Sequence, residues 1–182
     1  MTTSEQFDII VAECRSIYEK KLHDYGAAWR IMRPESITDQ VLIKANRIRT
    51  LESGAENRVG EGIRPELIGI INYCIMGVIQ LTLGYAATDD ISADKAIALY
   101  DKYIAQAKEL MMKKNHDYDE IWRQMRCQSY TDLILMKLHR TKQIENHDGK
   151  TLISEGIEAN YFDIVNYAVF YMIQQMETNS NK

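Results

Sequence analysis

Apolar residues recur at helical spacing along most of the chain. Within 94–114, four of them follow one another at intervals of three or four residues: Tyr100, Ile104, Ala107 and Met111. This is the spacing of one face of an α-helix, so the pattern predicts an amphipathic helix at about 94–114 and a matching one at about 5–22. Ser92 or Asp94 supplies an N-cap for the later helix.

A second pair of helices is predicted to follow a short helical turn that carries Trp29 or Trp122. The sequence Ser-x-Thr-Asp opens each of these helices, at 36–39 and again at 129–132. Threonine at the N-cap with aspartate in the first turn satisfies free amides and suits the helix dipole. We expect these helices to run to about Glu52 and Glu145.

The third pair of helices follows polar loops at 53–62 and 146–156. Pro65 lies where a helix accepts proline, in its first turn. The later helix is apolar on nearly every side through 161–173, which is typical of a central, buried helix.

The order of these elements repeats because the sequence itself repeats. Residues 21–52 laid over 114–145, at a constant shift of 93, match at 15 of 32 positions without a gap. Glu61-Gly62-Ile63 and Asn72-Tyr73 recur at a shift of 94 as Glu155-Gly156-Ile157 and Asn166-Tyr167. A period of this length identifies a duplicated structural unit.

The predicted fold is an all-α helical bundle of two tandem repeats. Each repeat contributes three main helices, and the two pack as a pseudo-twofold dimer, as a fused homodimer would. The first repeat spans 1–83, a joint spans 84–93 and the second repeat spans 94–182. Two prolines among 182 residues agree with this class, and the length suits one compact unit.

Composition and charge limit the kinds of partner and the compartment expected for the protein. A net charge of −4 argues against a general nucleic-acid coat or a polybasic membrane anchor. Three scattered cysteines fit a reducing cytoplasm, and the N-terminus lacks the features of a secretory signal. The longest apolar run, 68–83, is broken by Asn72 and Gln80, so a buried helix is expected rather than a membrane span. Pairing of two chains stays open.

The segment Lys-x-His-Asp-Tyr is the most distinctive repeated motif. Its members His116 and Asp117, matched by His23 and Asp24, suit general-base, metal-ligand or phosphate-binding roles. A His-Asp pair at the end of a helix also serves simply as a cap, and the motif alone does not separate these alternatives.

The second helix of each repeat carries two cations three residues apart. They are Lys137 and Arg140, matched by Lys44 and Arg47. Residues at this spacing are neighbours on a helix, and two adjacent cations can hold a phosphate. The alternative is a solvated charged face.

Asp163 and Asn166 interrupt the apolar third helix on one face. A buried carboxylate is costly unless it is paired, hydrogen-bonded or bound to a metal. Lys137, Arg140 or a cation with its substrate are candidate partners. Together with Glu155 and Glu158, Asp163 forms an acidic cluster of the type that holds Mg²⁺. Asn166, kept as Asn72, would then help to bind substrate.

The first repeat departs from this acidic pattern. Arg64 replaces Glu158 and Gly69 replaces Asp163. Either the first site is degenerate, or the two repeats complete one shared site to which the first supplies positive charge. Tyr118 and Trp122 are candidates for a base pocket, although core packing explains most aromatic residues equally well.

These motifs resemble the nucleotide-modification-associated domain family, type 1, over essentially the whole chain. The resemblance implies a role in nucleotide or modified-base metabolism without naming a reaction. A looser likeness is to the all-α MazG-like and dimeric dUTPase nucleoside triphosphate pyrophosphohydrolases, which hold Mg²⁺ through Glu-x-x-Glu and Glu-x-x-Asp. Here Glu158 and Asp163 are five residues apart rather than three.

Two hypotheses follow. In the first, the protein binds a nucleotide or related phosphorylated small molecule and is a Mg²⁺-dependent (deoxy)nucleotide phosphohydrolase. In the second, it is a non-catalytic binding or assembly module whose repeated polar residues join its helices. The sequence does not decide whether it is an enzyme.

Overall fold

The structure is a computed structural model that describes residues 1–56, 60 and 62–180. Glu61, part of one repeated motif, lies outside these residues. All regular structure within the described part is helical: α1 (Thr3–Tyr25), α2 (Pro34–Glu52), α3 (Ile63–Leu83), α4 (Ala93–Tyr118), α5 (Cys127–Asn146) and α6 (Ile157–Ser180). Short 3₁₀ helices at Ala28–Ile31 and Ile121–Gln124 carry the two tryptophans. The predicted all-α class and the three main helices per repeat are confirmed.

The helix starts follow local capping rules only in part. Ser92 accepts a hydrogen bond from the Lys95 amide at 3.1 Å and caps α4, as predicted. The N-caps of helices α2 and α5 are Arg33 and Arg126, five residues before the predicted Thr38 and Thr131. Pro34, whose ring pre-sets the helical φ angle, takes the first position of α2. The prediction of a threonine N-cap is therefore wrong for both helices.

The two threonines of Ser-x-Thr-Asp instead join the repeats. Thr38 donates to Glu145 with 2.6 Å between the oxygens, and Thr131 donates to Glu52 at 2.7 Å. Each bond is the other shifted by 93 residues. A pair of reciprocal contacts of this kind is the signature of a twofold relation between two similar surfaces.

Two ion pairs repeat the same reciprocity at the surface. Lys142 contacts Asp39 and Arg49 contacts Asp132, each with 2.6 Å between the charged atoms. These pairs also exchange under the shift of 93. Together with the threonine contacts, they confirm that α2 and α5 face each other across a pseudo-twofold axis.

Helices α3 and α6 pack against each other in the centre of the bundle. Gly77 on α3 lies directly against Tyr161 on α6, because a Cβ there would lie 2.8 Å from a ring carbon of the tyrosine. Glycine is therefore needed at this position for the helices to approach so closely. By length and composition α3 could cross a membrane, with a mean hydropathy of 1.6, but 72% of its apolar window is buried in the bundle. Packing within the protein accounts for this apolar surface.

A matched glutamine fixes the 3₁₀ turn of each repeat. The two N–H groups of the Gln80 amide on α3 are shared among three backbone carbonyls, those of Trp29, Arg30 and Met32. The amide of Gln174 on α6 donates to the equivalent carbonyls, those of Trp122, Arg123 and Met125. These buried hydrogen bonds place each tryptophan against the third helix of its own repeat.

Candidate functional site

In the second repeat, Asp163 accepts hydrogen bonds from two lysines. Lys114 on α4 and Lys137 on α5 contact separate carboxylate oxygens, at 2.6 and 2.7 Å. The side chains of Asp163 and Lys137 are only 6% and 10% exposed, whereas Lys114 is 48% exposed. Lys137 is therefore one of the partners predicted for Asp163, and Lys114 is a second that the sequence did not indicate.

The charges of this group reinforce one another. Burial by itself would raise the pKa of the Asp163 carboxyl, but the hydrogen bonds from Lys114 and Lys137 outweigh burial and hold that pKa below its ordinary value. Desolvation opposes the charge of Lys114, yet the contact with Asp163 raises the pKa of its ammonium group. Asp163 is thus a carboxylate at neutral pH with both oxygens occupied.

Asn166 stands one turn beyond Asp163 on α6. Its amide donates to the carbonyl of Ala107 at 3.1 Å, as Asn72 donates to Cys14 in the first repeat. Both asparagines therefore tie the third helix of a repeat to the first. This contact accounts for their recurrence without any ligand.

The side-chain oxygens of the two asparagines differ. The oxygen of Asn72 accepts from the Tyr100 hydroxyl at 2.8 Å, whereas that of Asn166 has no partner among the described residues. The position equivalent to Tyr100 is Phe7, which has no hydroxyl to donate.

A small cavity of about 270 Å³ lies beside Asp163 and Asn166. Trp122 and Tyr118 line it, as the base-pocket prediction requires, but Trp122 already stacks on Phe170 with 4.1 Å between ring centroids. The aromatic surface of this cavity is thus largely covered by the protein itself.

The first repeat has no carboxylate at the equivalent position, where Gly69 stands. Lys44, the counterpart of Lys137, lies directly over this glycine. A Cβ on residue 69 would be 2.6 Å from Lys44 Cε and 3.0 Å from its Nζ. The ammonium group of Lys44 therefore occupies the space that a side chain such as that of Asp163 would take.

The lysines of the first repeat are only loosely held. Lys44 Nζ lies 3.5 Å from Glu66, whose other oxygen lies 3.1 Å from Arg47. Lys21, the counterpart of Lys114, has no hydrogen bond or ion pair within the described part of the chain. The two lysines that meet one carboxylate in the second repeat thus have no shared anion in the first.

A larger cavity of about 710 Å³ opens at this place. Three cations line it, Lys21, Lys44 and Arg64, the last bonded to Glu13 with 3.0 Å from Nε to the carboxylate. Its aromatic walls come from Tyr25, Trp29 and Tyr73. Cavities between about 300 and 1,000 Å³ with apolar walls and a few polar groups are typical of small-molecule sites.

Two substitutions between the repeats enlarge the first cavity. Gly69 replaces Asp163, and Met76 replaces the Phe170 that covers Trp122. The sequence pointed to the second repeat as the more complete site, yet the structure places the larger and more cationic cavity in the first.

The predicted Mg²⁺ ligands are not brought together. Glu155 and Glu158 are exposed, and Asp163 is buried with both oxygens bonded to ammonium groups. Among the described residues, no group of three or more His, Cys, Asp or Glu side chains could hold a metal ion. These residues do not fit a Mg²⁺ centre.

The His-Asp pairs lie at the surface, outside both cavities. His116 and His23 are each 89% exposed, with 3.1 and 3.5 Å to Asp117 and Asp24. Each pair sits at the C-terminal end of its helix. The C-caps of these helices are Gly26 and Asp119, and within the described residues neither pair bonds a helix carbonyl, so a capping role is not shown.

The predicted cation pairs differ between the repeats: Lys44 and Arg47 contact the two oxygens of one carboxylate, that of Glu66, whereas Lys137 and Arg140 do not share a partner among the described residues. Arg140 lies away from Asp163 and lines a third, open cavity of about 330 Å³ beside the 146–156 loop. Its counterpart Arg47 instead contacts Glu66. Adjacent positions on a helix therefore face different cavities in the second repeat.

Sequence reasoning missed three of the residues that define these sites. Lys21 and Lys114 begin the repeated Lys-x-His-Asp-Tyr motif, and their recurrence was the available signal. Glu66 was missed because its counterpart is Asn160. The carboxylate of the third helix has moved one turn between the repeats, from 66 in the first to the position of Asp163 in the second.

Comparison with known proteins agrees with the duplication. The model of the family described as "Nucleotide modification associated domain 1" matches residues 21–81 and 114–175, together more than half of the chain. No curated protein and no solved structure matches. The looser likeness to MazG-like enzymes is not shown. The chain therefore belongs to the nucleotide modification associated domain 1 family and carries its domain twice, in tandem.

Proposed function

We propose that the protein binds a nucleotide or related phosphorylated small molecule in the cavity of the first repeat. The observation that carries this proposal is the pair Lys21 and Lys44 at the wall of a 710 Å³ cavity, without a shared anion. In the second repeat the equivalent lysines are neutralised by Asp163. Family membership supports a ligand from nucleotide metabolism.

The polar part of the cavity suits a phosphate. Ammonium groups donate strong, charge-assisted hydrogen bonds to phosphate oxygens. Lys44 lies 3.5 Å from Glu66 and over the ring of Tyr73, 5.8 Å from its centroid, so a ligand that draws its flexible chain away replaces two long contacts. Lys21 is free to do the same within the described structure.

The apolar part of the cavity suits a base. Trp29, Tyr25 and Tyr73 line it, and Met76 stands where Phe170 stacks on Trp122 in the other repeat. Every base presents a π face that stacks on aromatic side chains, at about 1–3 kcal/mol per base. A nucleotide carries both an aromatic base and an anionic phosphate, so it matches both the aromatic and the cationic walls of this cavity.

The enzymatic form of this proposal is hydrolysis of the bound nucleotide. Glu13 and Glu66 line the cavity, and each is bonded to a cation. The predicted ligands do not fit Mg²⁺, so no step is assigned to a metal. Binding is therefore the function that the geometry favours. Whether the bound nucleotide is also hydrolysed is measured in the same experiment.

A structural role for the repeated motifs has its own support. Thr38, Asn72 and Gln80, with their counterparts, make buried contacts between helices. Asp163 likewise joins α6 to α4 and α5. The second repeat fits the role of a supporting module, and this favours one ligand site per chain.

Calorimetric titration with nucleoside mono-, di- and triphosphates, with and without Mg²⁺, tests the proposal. We expect one nucleotide per chain and weaker binding by Lys44→Met. Lys142→Met is the matched control, because this lysine pairs with Asp39 outside the cavities. Ion-exchange chromatography of the same mixtures detects turnover. Absence of binding by every nucleotide would refute the proposal.

A further inference from the structure

The second repeat shows where an anion belongs in the first. Asp163 lies between Lys114 and Lys137, which correspond to Lys21 and Lys44. The four lysines occupy equivalent places on equivalent helices of a pseudo-twofold bundle. One such pair of ammonium groups holds an anion supplied by the chain, and the other has Gly69 where that anion would stand.

We infer that a phosphate monoester of the ligand takes, in the first repeat, the place that the Asp163 carboxylate takes in the second. Asp163 is thus an internal substitute for the ligand's anion, and it closes the second site. This inference rests on the proposed function and names its phosphate subsite as Lys21, Lys44 and the surface of Gly69.

Charge favours a single phosphate over a triphosphate. A phosphate monoester carries about −1.5 to −2 charges at pH 7, which two ammonium groups match. A triphosphate carries more charge and is ordinarily bound with Mg²⁺. The third cation of the lining, Arg64, is already paired with Glu13 and is therefore not available to the additional phosphates. We therefore expect a nucleoside monophosphate to bind more tightly than its triphosphate.

The absence of a side chain at residue 69 supplies the necessary room. Lys44 Nζ now lies 3.0 Å from the site of a Cβ on Gly69, in the volume where the phosphate would enter. The ligand must displace this ammonium group by rotation of the lysine chain, which the 3.5 Å contact with Glu66 and the cation–π contact with Tyr73 resist. Lys137 has no such freedom because Asp163 holds it at 2.7 Å.

Returning the carboxylate to the first repeat tests the inference. In Gly69→Asp, the new side chain should bind Lys21 and Lys44 and compete with the phosphate. We expect affinity for the best nucleoside monophosphate to fall by about tenfold or more, since charge-assisted hydrogen bonds are lost. Gly69→Asn fills nearly the same volume without a charge, so its loss should be smaller. The melting temperature of Gly69→Asp should exceed that of Gly69→Asn.

Lysine variants provide a second test that does not disturb α3. Lys21→Met, at an exposed position, should also weaken binding by about tenfold. Lys114→Met removes the matched lysine of the second repeat and should leave the affinity unchanged. Circular dichroism of each variant confirms that it is folded before titration.

Inorganic phosphate, titrated in parallel, separates the two proposals. If the wild type binds a nucleotide but Gly69→Asp and Lys21→Met bind it as well as wild type, the phosphate subsite is wrong and the nucleotide proposal stands. Equal losses of affinity in Gly69→Asp and Gly69→Asn would contradict the role assigned to the negative charge at residue 69. Binding of inorganic phosphate alone, abolished by Gly69→Asp, would support the subsite and refute the nucleotide. Binding of neither ligand would overturn both.

Discussion

In the second repeat Lys114 and Lys137 share one buried carboxylate, whereas in the first repeat Lys21 and Lys44 border a cavity with no shared anion. The backbone elements around both pairs are the same. The replacement of Asp163 by Gly69 removes the shared carboxylate, and the replacement of Phe170 by Met76 accompanies the larger cavity. A duplicated site that keeps all of its charged residues can therefore be closed to ligands, because those residues bind one another.

The largest expected effect comes from opening the second repeat. Asp163→Ala leaves Lys137 buried without its partner, and breaking a buried ion pair in this way costs about 3–5 kcal/mol. Urea unfolding measures the loss. Asp132→Ala is the control, since its exposed pair with Arg49 contributes only about 0–1 kcal/mol. Equal losses in the two variants would show that the Asp163 contact is not structural.

The same contact should respond to acid. The folded-state pKa of Asp163 is depressed, so the stability it contributes is present above its unfolded pKa of about 3.9 and is lost as pH falls through the folded value. The difference in unfolding free energy between wild type and Asp163→Asn should therefore shrink below about pH 4. A difference that stays constant from pH 7 to pH 2.5 would contradict this account.

The fold shows how much of the helical structure can be predicted from local sequence rules. Helical spacing and the repeat predicted every main helix, because each was indicated twice. The start of α2 was misplaced since Thr38 has the chemistry of an N-cap. Its hydroxyl instead bonds Glu145, 107 residues away, a contact that only the packed bundle reveals.

The candidate site was harder to predict for a similar reason. The cost of burying a carboxylate correctly required a partner for Asp163, and Lys137 was among those proposed. Arg140, three residues further on, was an equal candidate by sequence but faces another cavity. The volume beside Trp29 depends on the space that the side chain of Met76 and the missing side chain of Gly69 leave empty. A sequence does not show whether such space stays open or is filled by neighbouring residues.

Intermediate effects are expected where the repeats are alike. Thr38→Val and Thr131→Val each remove a hydrogen bond to a half-buried glutamate across the pseudo-twofold axis, and Thr38→Val also removes a contact with the Tyr161 hydroxyl. Each should cost about 1–3 kcal/mol, and Thr38→Val should cost at least as much as Thr131→Val. Burial already raises the pKa of Glu145, which shows that its surroundings disfavour the charge. A larger loss in Thr131→Val than in Thr38→Val, measured by urea unfolding, would contradict these contacts.

A change in stability no larger than that of the threonine variants should accompany closure of the first cavity. Met76→Phe places a ring beside Trp29, as Phe170 lies beside Trp122 in the second repeat. We expect nucleotide affinity to fall while unfolding changes by about 1–3 kcal/mol at most. Met112→Phe, at an exposed position outside the cavities, is the control for calorimetric titration. Unchanged affinity in Met76→Phe would place the ligand elsewhere.

The smallest effect is expected at the most distinctive motif. His23→Ala and His116→Ala truncate side chains that are 89% exposed and line neither of the two cavities. Stability should change by no more than about 0.5 kcal/mol, and nucleotide affinity should stay the same. Loss of binding or turnover in either variant would restore the histidines to the functional site.

The two tryptophans offer the most direct test of the comparison between the repeats. Trp29 lines the first cavity and Trp122 the second, and the chain has no others. Trp122→Phe and Trp29→Phe each leave one fluorescent reporter, which is then titrated with the nucleoside monophosphate that binds most tightly to wild type. The account predicts saturable quenching of Trp29 and an unchanged signal from Trp122. Quenching of Trp122 alone would contradict the assignment of the ligand site to the first repeat.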